Sequence, residues 1–166
     1  MEEKMRNFFL EKEINDFLTD CKIAFAKASG KGGQKINNTS VAVLLTHIPT
    51  SFTAEDASSR SQAENKIHAA ENLHYLIADK IREKFSLPAG FDLSVPPSVH
   101  NRKRHLLWVA LMLDAWAEGE YEPKKTAQIV QISVSRLTKI ASHDTFLWQC
   151  INRARNQAGL HSLKGN

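Results

Sequence analysis

The stretch "AKASGKGGQKINNTS", residues 26–40, decides how the first half of the chain is organised, because it places three of the chain's seven glycines in one short polar run. The preceding "CKIAFAKA" alternates, with Ile23 and Phe25 on one face, which predicts a strand. The following "TSVAVLLTHI" is rich in Val, Leu, Ile and Thr and ends at Pro49, which predicts a second, well-buried strand. The polar run therefore connects two strands.

The spacing of these glycines excludes the two common phosphate-binding loops. "SGKGGQ" lacks the spacing of a P-loop, and Lys35 stands where the dinucleotide-binding pattern requires its last glycine. The run also leads into a strand, so it offers no helix N-terminus to a phosphate. A hairpin connection would explain Gly-Gly, but it leaves Gln34 and the pair Asn37-Asn38 unexplained.

Regular patterns continue on both sides of the run. Apolar side chains at helical spacing in residues 2–18 predict one N-terminal helix. "PTSFTAED" predicts a turn and a short third strand. Residues 58–85 predict a long helix that Ser58 or Ser59 can cap. Its apolar stripe consists of Ile67, Ala70, Leu73, His74, Ile77, Ile81 and Phe85.

The second half of the chain reads as helical. "SLPAGFDLSVPPSV" carries three prolines and a glycine, which predicts a domain boundary. Several predicted helices follow. Their expected core residues are Trp108, Trp116, Phe146, Leu147 and Trp148.

Within this half, "TAQIVQISVSRLTKIA" resembles a helix-turn-helix, although Gln131 takes the place of the usual turn glycine. Ser133 would cap the second helix, and Asp144 would cap the helix that follows it. Ala127, Val130, Ile132, Leu137 and Ile140 would face inward, and Ser135, Arg136 and Lys139 outward. An ordinary small helical bundle is the alternative interpretation.

The composition is that of a soluble globular protein, with 42% hydrophobic and 24% charged residues. No apolar run approaches the roughly 18 residues that span a bilayer, and the acidic N-terminus does not resemble a secretory signal. Only Cys21 and Cys150 are present, which argues against a disulfide framework or a zinc site and favours a reducing compartment. We therefore expect a cytoplasmic protein without a metal or nucleotide cofactor and without membrane contact.

The charge is unevenly distributed. Residues 1–85 are balanced, whereas residues 86–166 hold ten basic and six acidic residues, which accounts for the net charge of +4. Polyanions such as RNA are plausible partners for the second half.

The segments "SGKGGQKINNTSVAVLLTHIPT" and "RSQAEN" together resemble the catalytic domain of class I peptide chain release factors. The resemblance covers about residues 20–85, with the long helix at the expected distance. The matching residues are Ser29, Gly30, Gly32, Gly33, Gln34, Ile36, Asn37, Thr39, Ala42, Val43, Thr46, His47, Pro49, Thr50, Arg60, Ser61, Gln62 and Asn65. Departures from the pattern are Asn38 for lysine, Leu44 for arginine, Ser51 for glycine and Ser58-Ser59 for an acidic pair.

The resemblance implies hydrolysis of the peptidyl-tRNA ester in the ribosomal peptidyl transferase centre, with Gly32, Gly33 and Gln34 as catalytic residues. Glycines let the main chain approach RNA closely. The N–H of Gln34 can then donate to the developing oxyanion or to the leaving 3′-hydroxyl. The implied partners are large-subunit rRNA and P-site peptidyl-tRNA, together with a methyltransferase that modifies Gln34.

Polar residues near this triad are expected to contact RNA. Those in the first half are Lys31, Lys35, Asn37, Arg60 and Gln62. Those in the second half are Arg102, Lys103, Arg104, Arg136 and Lys139. His47, by contrast, is interpreted as a structural strand residue.

These observations predict an α+β fold in which residues 1–85 form a release-factor catalytic domain with a small mixed sheet and a long helix. Residues 86–101 would be a linker, and residues 102–166 a small all-α, helix-turn-helix-like domain. Only about twenty residues precede the catalytic unit, and no tripeptide of the type that reads stop codons is visible. The chain is therefore expected to act without a codon, like the short factors that rescue stalled ribosomes.

Three alternatives remain open from the sequence. The protein could be a non-catalytic ribosome- or RNA-binding factor that kept the fold, or a DNA-binding regulator suggested by the helix-turn-helix alone. It could also be a release factor that recognises particular codons or damaged ribosomes through a partner or through its C-terminal domain.

Overall fold

The computed structural model describes residues 5–27 and 41–164. The elements in chain order are α1 (Met5–Glu11), α2 (Ile14–Thr19), β1 (Cys21–Lys27), β2 (Val41–His47), β3 (Thr53–Asp56), α3 (Gln62–Lys80), α4 (Arg102–Glu118), α5 (Pro123–Val130), α6 (Val134–His143) and α7 (Thr145–Gln157). The chain divides into two compact units, unit 1, which ends at Ile77, and unit 2, which begins at Ala78, so the division falls within α3. The domain boundaries drawn from the sequence stay predictions.

The three strands form one sheet in the order β1-β2-β3, and all three lie where the sequence predicts them. Both pairings among the described strands are antiparallel. The prediction of a mixed sheet is therefore wrong for this part of the chain. Only residues 48–52 join β2 to β3, which is too short for the crossover that a parallel pair requires.

Strand β2 is buried on one face only, which corrects the expectation of a well-buried strand. Val43, Leu45 and His47 are fully buried, whereas Leu44 is 38% exposed. Successive side chains of a strand point to opposite faces of the sheet. The alternation therefore shows that one face of β2 is buried, whereas the other face carries the partly exposed Leu44.

The N-terminal region forms two helices, where the sequence predicts one helix over residues 2–18. Glu13, which precedes α2, has an extended backbone conformation with φ −65° and ψ 150°. In one continuous helix, Phe9 and Phe17 would lie about 12 Å apart along the axis. Here both rings contact the ring of His47, with centroid distances of 4.6 Å and 4.8 Å. The break allows both phenylalanines to pack on the same histidine.

Helix α3 is shorter than predicted at both ends. Ser61 caps the helix, because its Oγ accepts a hydrogen bond from the N–H of Glu64 at 3.3 Å. The predicted caps, Ser58 and Ser59, lie before the true start of the helix. At the other end, the helix stops at Lys80 because side chains of α4 accept hydrogen bonds from the main chain beyond it. Glu83 N–H donates to Asp114 at 3.1 Å, and Phe85 N–H donates to Glu118 at 3.2 Å.

Helix α4 is the centre of unit 2, since every residue from His105 to Trp116 is buried. Trp108, Trp116 and Leu147 are fully buried in its core, and Phe146 and Trp148 pack against that core. The predicted core residues are thus confirmed. Phe85, Phe91 and Leu93 pack there too, so apolar side chains from the proline-rich segment contribute to the second unit.

The predicted caps of the last two helices are confirmed. Ser133 Oγ accepts from the N–H of Arg136 at 3.2 Å, and Asp144 accepts from the N–H of Leu147 at 2.8 Å. Asp144 also binds the buried His105, with 2.6 Å between carboxylate oxygen and Nε2. The interpretation of this unit as a helix-turn-helix-like domain stays a prediction.

Candidate functional site

Strands β1 and β2 hold the two ends of the Gly-Gly-Gln segment. Lys27 and Val41 are direct register partners, so the main chain leaves the sheet and re-enters it at paired positions. The segment between them is residues 28–40, which lies outside the described residues. It contains the predicted catalytic residues Gly32, Gly33 and Gln34 and the predicted RNA contacts Lys31, Lys35 and Asn37.

The connection from β3 to α3 is held by the fully buried side chain of Asn65. Its Oδ1 accepts from the N–H of Ser59 at 2.8 Å, and its Nδ2 donates to the Ser59 carbonyl at 2.9 Å. The N–H of Ser61 donates to Ser59 Oγ at 3.0 Å. One amide therefore fixes the main chain on both sides of Ser59, directly before Arg60.

Arg60 and Gln62 are presented to solvent by this arrangement. Both side chains are exposed, and Gln62 is the first residue of α3. Among the described residues, none makes a hydrogen bond or ion pair with Arg60. The guanidinium is thus available to an external acceptor, while the backbone that carries it is fixed.

The departures from the release-factor pattern acquire local roles here. Ser58 Oγ donates to Asp56 Oδ1 at 2.7 Å, and Ser59 Oγ donates to the carboxylate of Glu64. Ser51 has φ 59°, in the left-handed region where glycine is preferred. The glycine of the pattern at this position thus fits the backbone better than serine does.

Asp56, Ser58 and His68 are the residue types of a hydrolytic triad, but their geometry is different. His68 Nδ1 lies 3.2 Å from Ser58 Oγ and 3.4 Å from Asp56 Oδ1, so the same ring nitrogen faces both partners. In a catalytic triad, the serine and the carboxylate bind opposite ring nitrogens. Although desolvation opposes ionisation, hydrogen bonds from Ser58 and His68 hold the pKa of Asp56 below its ordinary value. The cluster stabilises the entry into α3 and has no activated nucleophile.

His47 lies inside unit 1 and offers no surface to a substrate. Its side chain is fully buried between Phe9 and Phe17, and Nδ1 lies 2.8 Å from Thr50 Oγ1. Burial lowers its pKa from the ordinary value. The position agrees with the structural role given to it in the sequence.

The five basic residues singled out in the second half differ in exposure. Arg102 and Lys103 are half-buried, whereas Arg104, Arg136 and Lys139 are exposed. The guanidinium of Arg104 lies over the ring of Phe91, 5.2 Å from its centroid. Residues 102–104 therefore do not form one continuous exposed basic surface.

The described residues include neither a metal-binding cluster, nor a membrane-spanning helix, nor an activated thiol. There, no group of three His, Cys, Asp or Glu side chains could hold a metal ion, and no helix has the length and hydrophobicity needed to cross a bilayer. Cys21 and Cys150 are free thiols. Burial raises the pKa of Cys21 to about 11 and that of Cys150 to about 12, so neither is an activated nucleophile.

Comparison with known proteins identifies the first half of the chain. The model of the RF-1 domain family matches residues 11–88. This segment is therefore similar to the RF-1 domain, and we refer to it by that name. The matched segment contains the sheet, α3, the Asn65 contacts and the Gly-Gly-Gln triad, and over it the chain is similar to class I release factors.

The curated relatives of this segment include bacterial proteins named peptide chain release factor 1. The protein of Leptospira biflexa serovar Patoc is 39% identical over 79 residues, which are 48% of this chain and 22% of the relative. That of Erythrobacter litoralis is 42% identical over 75 residues (45% and 21%), and that of Burkholderia multivorans 47% identical over 70 residues (42% and 19%). The chain thus spans about a fifth of the length of the relatives it matches. No solved structure matches it.

Sequence reasoning missed the function of Asn65 within the RF-1 domain. The residue was recognised as part of the "RSQAEN" pattern, but the pattern does not reveal what the amide binds. A signal was present, because an asparagine on the buried stripe of a helix requires hydrogen-bond partners. Its partner lies six residues earlier, in a turn that periodicity does not describe.

Proposed function

We propose that the RF-1 domain hydrolyses the ester of peptidyl-tRNA in the peptidyl transferase centre of the ribosome and thereby releases the nascent peptide. The observation that supports this most strongly is the match of residues 11–88 to the RF-1 domain with Gly32, Gly33 and Gln34 intact inside it. The pairing of Lys27 with Val41 supports it further, since the frame that carries the triad is a regular sheet.

In the proposed reaction, a water oxygen attacks the ester carbonyl and forms a tetrahedral intermediate. The bond between the carbonyl carbon and the tRNA 3′-oxygen then breaks. The products are a peptide carboxylic acid and a tRNA with a free 3′-hydroxyl, and the proton lost by the water replaces the one that the leaving oxygen requires. The N–H of Gln34 stabilises the oxyanion or the leaving oxygen, which is worth about 3–4 kcal/mol in comparable sites. Its side-chain amide orients the water or excludes larger nucleophiles.

RNA contacts would dock the domain in this centre. Lys31, Lys35 and Asn37 flank the triad in sequence, and Arg60 and Gln62 are exposed beside the Asn65 contacts. Cationic and amide side chains are suited to phosphate oxygens and ribose hydroxyls. A methyltransferase that modifies the Gln34 side chain is a further proposed partner.

We further propose that release does not require a stop codon and serves stalled ribosomes. The support is that the match to the RF-1 domain ends at residue 88. The following α4–α7 form a helical unit of their own. In this proposal, that unit recognises the ribosomal state.

The decisive experiment measures release of labelled peptide from ribosomes whose A site holds a stop codon, a sense codon or no codon. We expect comparable release in all three cases, loss of release with Gly33→Ala and Gln34→Ala, and full release with the exposed control Gln157→Ala. Gly33→Ala should be at least as damaging as Gln34→Ala. An active Gly33→Ala variant would refute the backbone role, and release restricted to stop codons would refute codon independence. Absence of release by the unaltered chain would favour a non-catalytic binding factor.

A further inference from the structure

Helices α5 and α6 pack against each other through a turn at residues 131–133. Gln131 adopts the left-handed conformation, with φ 61° and ψ 39°, at the position that glycine takes in helix-turn-helix motifs. Ala127, Leu137 and Ile140 are buried, and Ser133 caps α6. The geometry leaves the outer face of α6 accessible.

Every Lys, Arg, Asp or Glu side chain in α5, in α6 and in the turn between them is basic. Residues 123–143 contain Lys124, Lys125, Arg136 and Lys139 and no acidic residue. Two of the four cations have local partners. Lys125 forms ion pairs with Glu120 and Glu122. Arg136 donates a hydrogen bond to the carbonyl of Ser94 at 3.0 Å and lies close to Asp92. Lys124 and Lys139 are exposed and make no ion pair with any residue in the described ranges. They are the cations available to a polyanion.

Hydroxyl groups line the same face of α6. Four polar residues of α6 share one side of the helix, and they are Ser135, Thr138, Lys139 and Ser142. Thr138 and Lys139 each lie three or four residues from both Ser135 and Ser142, and residues at that spacing are neighbours on a helix surface. Thr138 Oγ1 donates to the carbonyl of Val134 at 3.0 Å, and Ser142 Oγ donates to the carbonyl of Lys139 at 3.0 Å. Because their protons are used within the helix, the remaining lone pairs can only accept hydrogen bonds.

We propose that this face of α6 binds duplex RNA. Lys139 contacts phosphates, and Ser135, Thr138 and Ser142 accept hydrogen bonds from ribose 2′-hydroxyls. Lys124 of the neighbouring α5 adds a second phosphate contact beside this face. A-form RNA displays these hydroxyls in a wide, shallow minor groove, whereas B-form DNA has none. The choice of RNA also rests on the proposed function, because a ribosome presents RNA duplexes. It goes beyond that function by assigning the second unit its own ligand and contact face.

The test uses the full chain and a fluorescent RNA hairpin with a stem of about 16 base pairs, compared with a DNA duplex of the same sequence. Fluorescence anisotropy measures Kd over a salt series. Lys139→Glu should weaken RNA binding about tenfold and reduce the slope of log K against log salt by about 1. The matched control Lys84→Glu, also an exposed lysine of unit 2, should leave both unchanged.

Thr138→Val separates hydroxyl recognition from charge. The substitution keeps the shape of the side chain and removes the acceptor, so RNA should bind about three- to tenfold more weakly, while binding of the DNA duplex stays the same. Circular dichroism and thermal melting of each variant verify that it is folded.

Tighter binding of DNA than of RNA would overturn the proposal in favour of a DNA-binding surface. Equal losses in Lys139→Glu and Lys84→Glu, or no effect of Thr138→Val, would overturn the assigned contacts. The assay involves no peptide release, so its failure and a failure of the proposed hydrolysis are distinguishable. Gly33→Ala should lose release and still bind the hairpin with unaltered affinity.

Discussion

The side chain of Asn65 holds Ser59 by both polar groups of its main chain, accepting from the N–H at 2.8 Å and donating to the carbonyl at 2.9 Å. A buried amide that satisfies two backbone groups acts as a local template for the chain. The segment so fixed precedes Arg60 and the cap of α3 at Ser61. Asn65, which lies on the buried face of α3, therefore fixes the main chain that carries the exposed Arg60.

Replacing Asn65 by alanine should destabilise unit 1 by about 1–3 kcal/mol, because two backbone groups near the buried site lose their partners. Chemical denaturation measures this free energy of unfolding. The matched control is Asn72→Ala on the same helix. Asn72 is exposed, and within the described ranges its side chain donates a single long hydrogen bond, of 3.5 Å, to the carbonyl of Glu55. The control should change stability by less than about 0.5 kcal/mol. Equal effects of the two substitutions would contradict the role given to Asn65.

In the peptide-release assay, Asn65→Ala should raise the ribosome concentration needed for half-maximal rate more than it lowers the maximal rate. The reason is that the residue positions Arg60, which is proposed to bind RNA. Asn65→Asp keeps the acceptor for the Ser59 N–H and should retain more of the affinity than alanine does. A fall in maximal rate alone would argue against this positioning role.

His47 should make unit 1 less stable in mild acid. Burial depresses the pKa of His47 in the folded state below its ordinary value of 6.5. Above pH 6.5 the imidazole is neutral in both the folded and the unfolded state, so it adds no pH dependence. As the pH falls below 6.5, the unfolded chain takes up the proton more readily, and stability decreases until the folded-state pKa is reached.

This behaviour can be measured as the free energy of unfolding between about pH 5 and pH 8. His47→Phe should flatten the dependence, because the aromatic packing with Phe9 and Phe17 is kept and the titrating group is removed. The control is Asn72→Ala, an exposed substitution in unit 1 that removes no titrating group and should leave the slope unchanged. An unaltered slope in His47→Phe would show that another group is responsible.

Replacing Gln131 by glycine should stabilise unit 2 by about 0.5–1 kcal/mol. The left-handed conformation, with φ 61°, costs a residue with a side chain about 1–2 kcal/mol, and part of the gain is offset because glycine is more flexible in the unfolded chain. Thermal melting measures the stability of this variant and of the control Gln128→Gly, one turn earlier in α5. The control should destabilise unit 2 by about 1 kcal/mol, because glycine disfavours the helix interior. Opposite signs for the two substitutions are the expected result, and a loss of stability in both would contradict the backbone argument.

Glycine at position 119 is required for steric reasons. A Cβ atom there would lie 2.4 Å from Thr126 Oγ1 and 2.8 Å from the main-chain nitrogen of Thr126. Thr126 is fully buried, so Gly119→Ala should destabilise unit 2 by about 1–3 kcal/mol. Gly90→Ala is the comparison, since its φ of +73° is unfavourable but no atom lies within 4 Å of the added Cβ. Its cost should be about 1 kcal/mol, and a larger loss there than at Gly119 would disprove the clash.

Sequence patterns located the strands, the long helix and the core of unit 2 because each follows from periodicity or from a cap with a local partner. Ser133 and Asp144, for example, bind main-chain groups only three residues away. The break between α1 and α2 was missed, because it depends on both Phe9 and Phe17 meeting His47, which is distant in sequence. The end of α3 was missed for the same reason, since Asp114 and Glu118 lie some thirty residues further on.

In the candidate site, too, local sequence patterns could be predicted and contacts between side chains could not. The triad and the motif around Arg60 could be recognised from residues alone, because their spacing is itself the signal. The contacts of Asn65 with Ser59 and the internal hydrogen bonds of Thr138 and Ser142 could not, since a sequence does not state where a polar side chain donates or accepts.

The pairing of Lys27 with Val41 also bears on how this chain could change over time. The entropy of closing a connection between paired strands grows slowly with its length, so doubling the connection would cost the sheet only about 0.6 kcal/mol. An insertion between these two positions would therefore cost little closure entropy. The register of β1 with β2 thus sets no tight limit on the length of chain that joins the two strands.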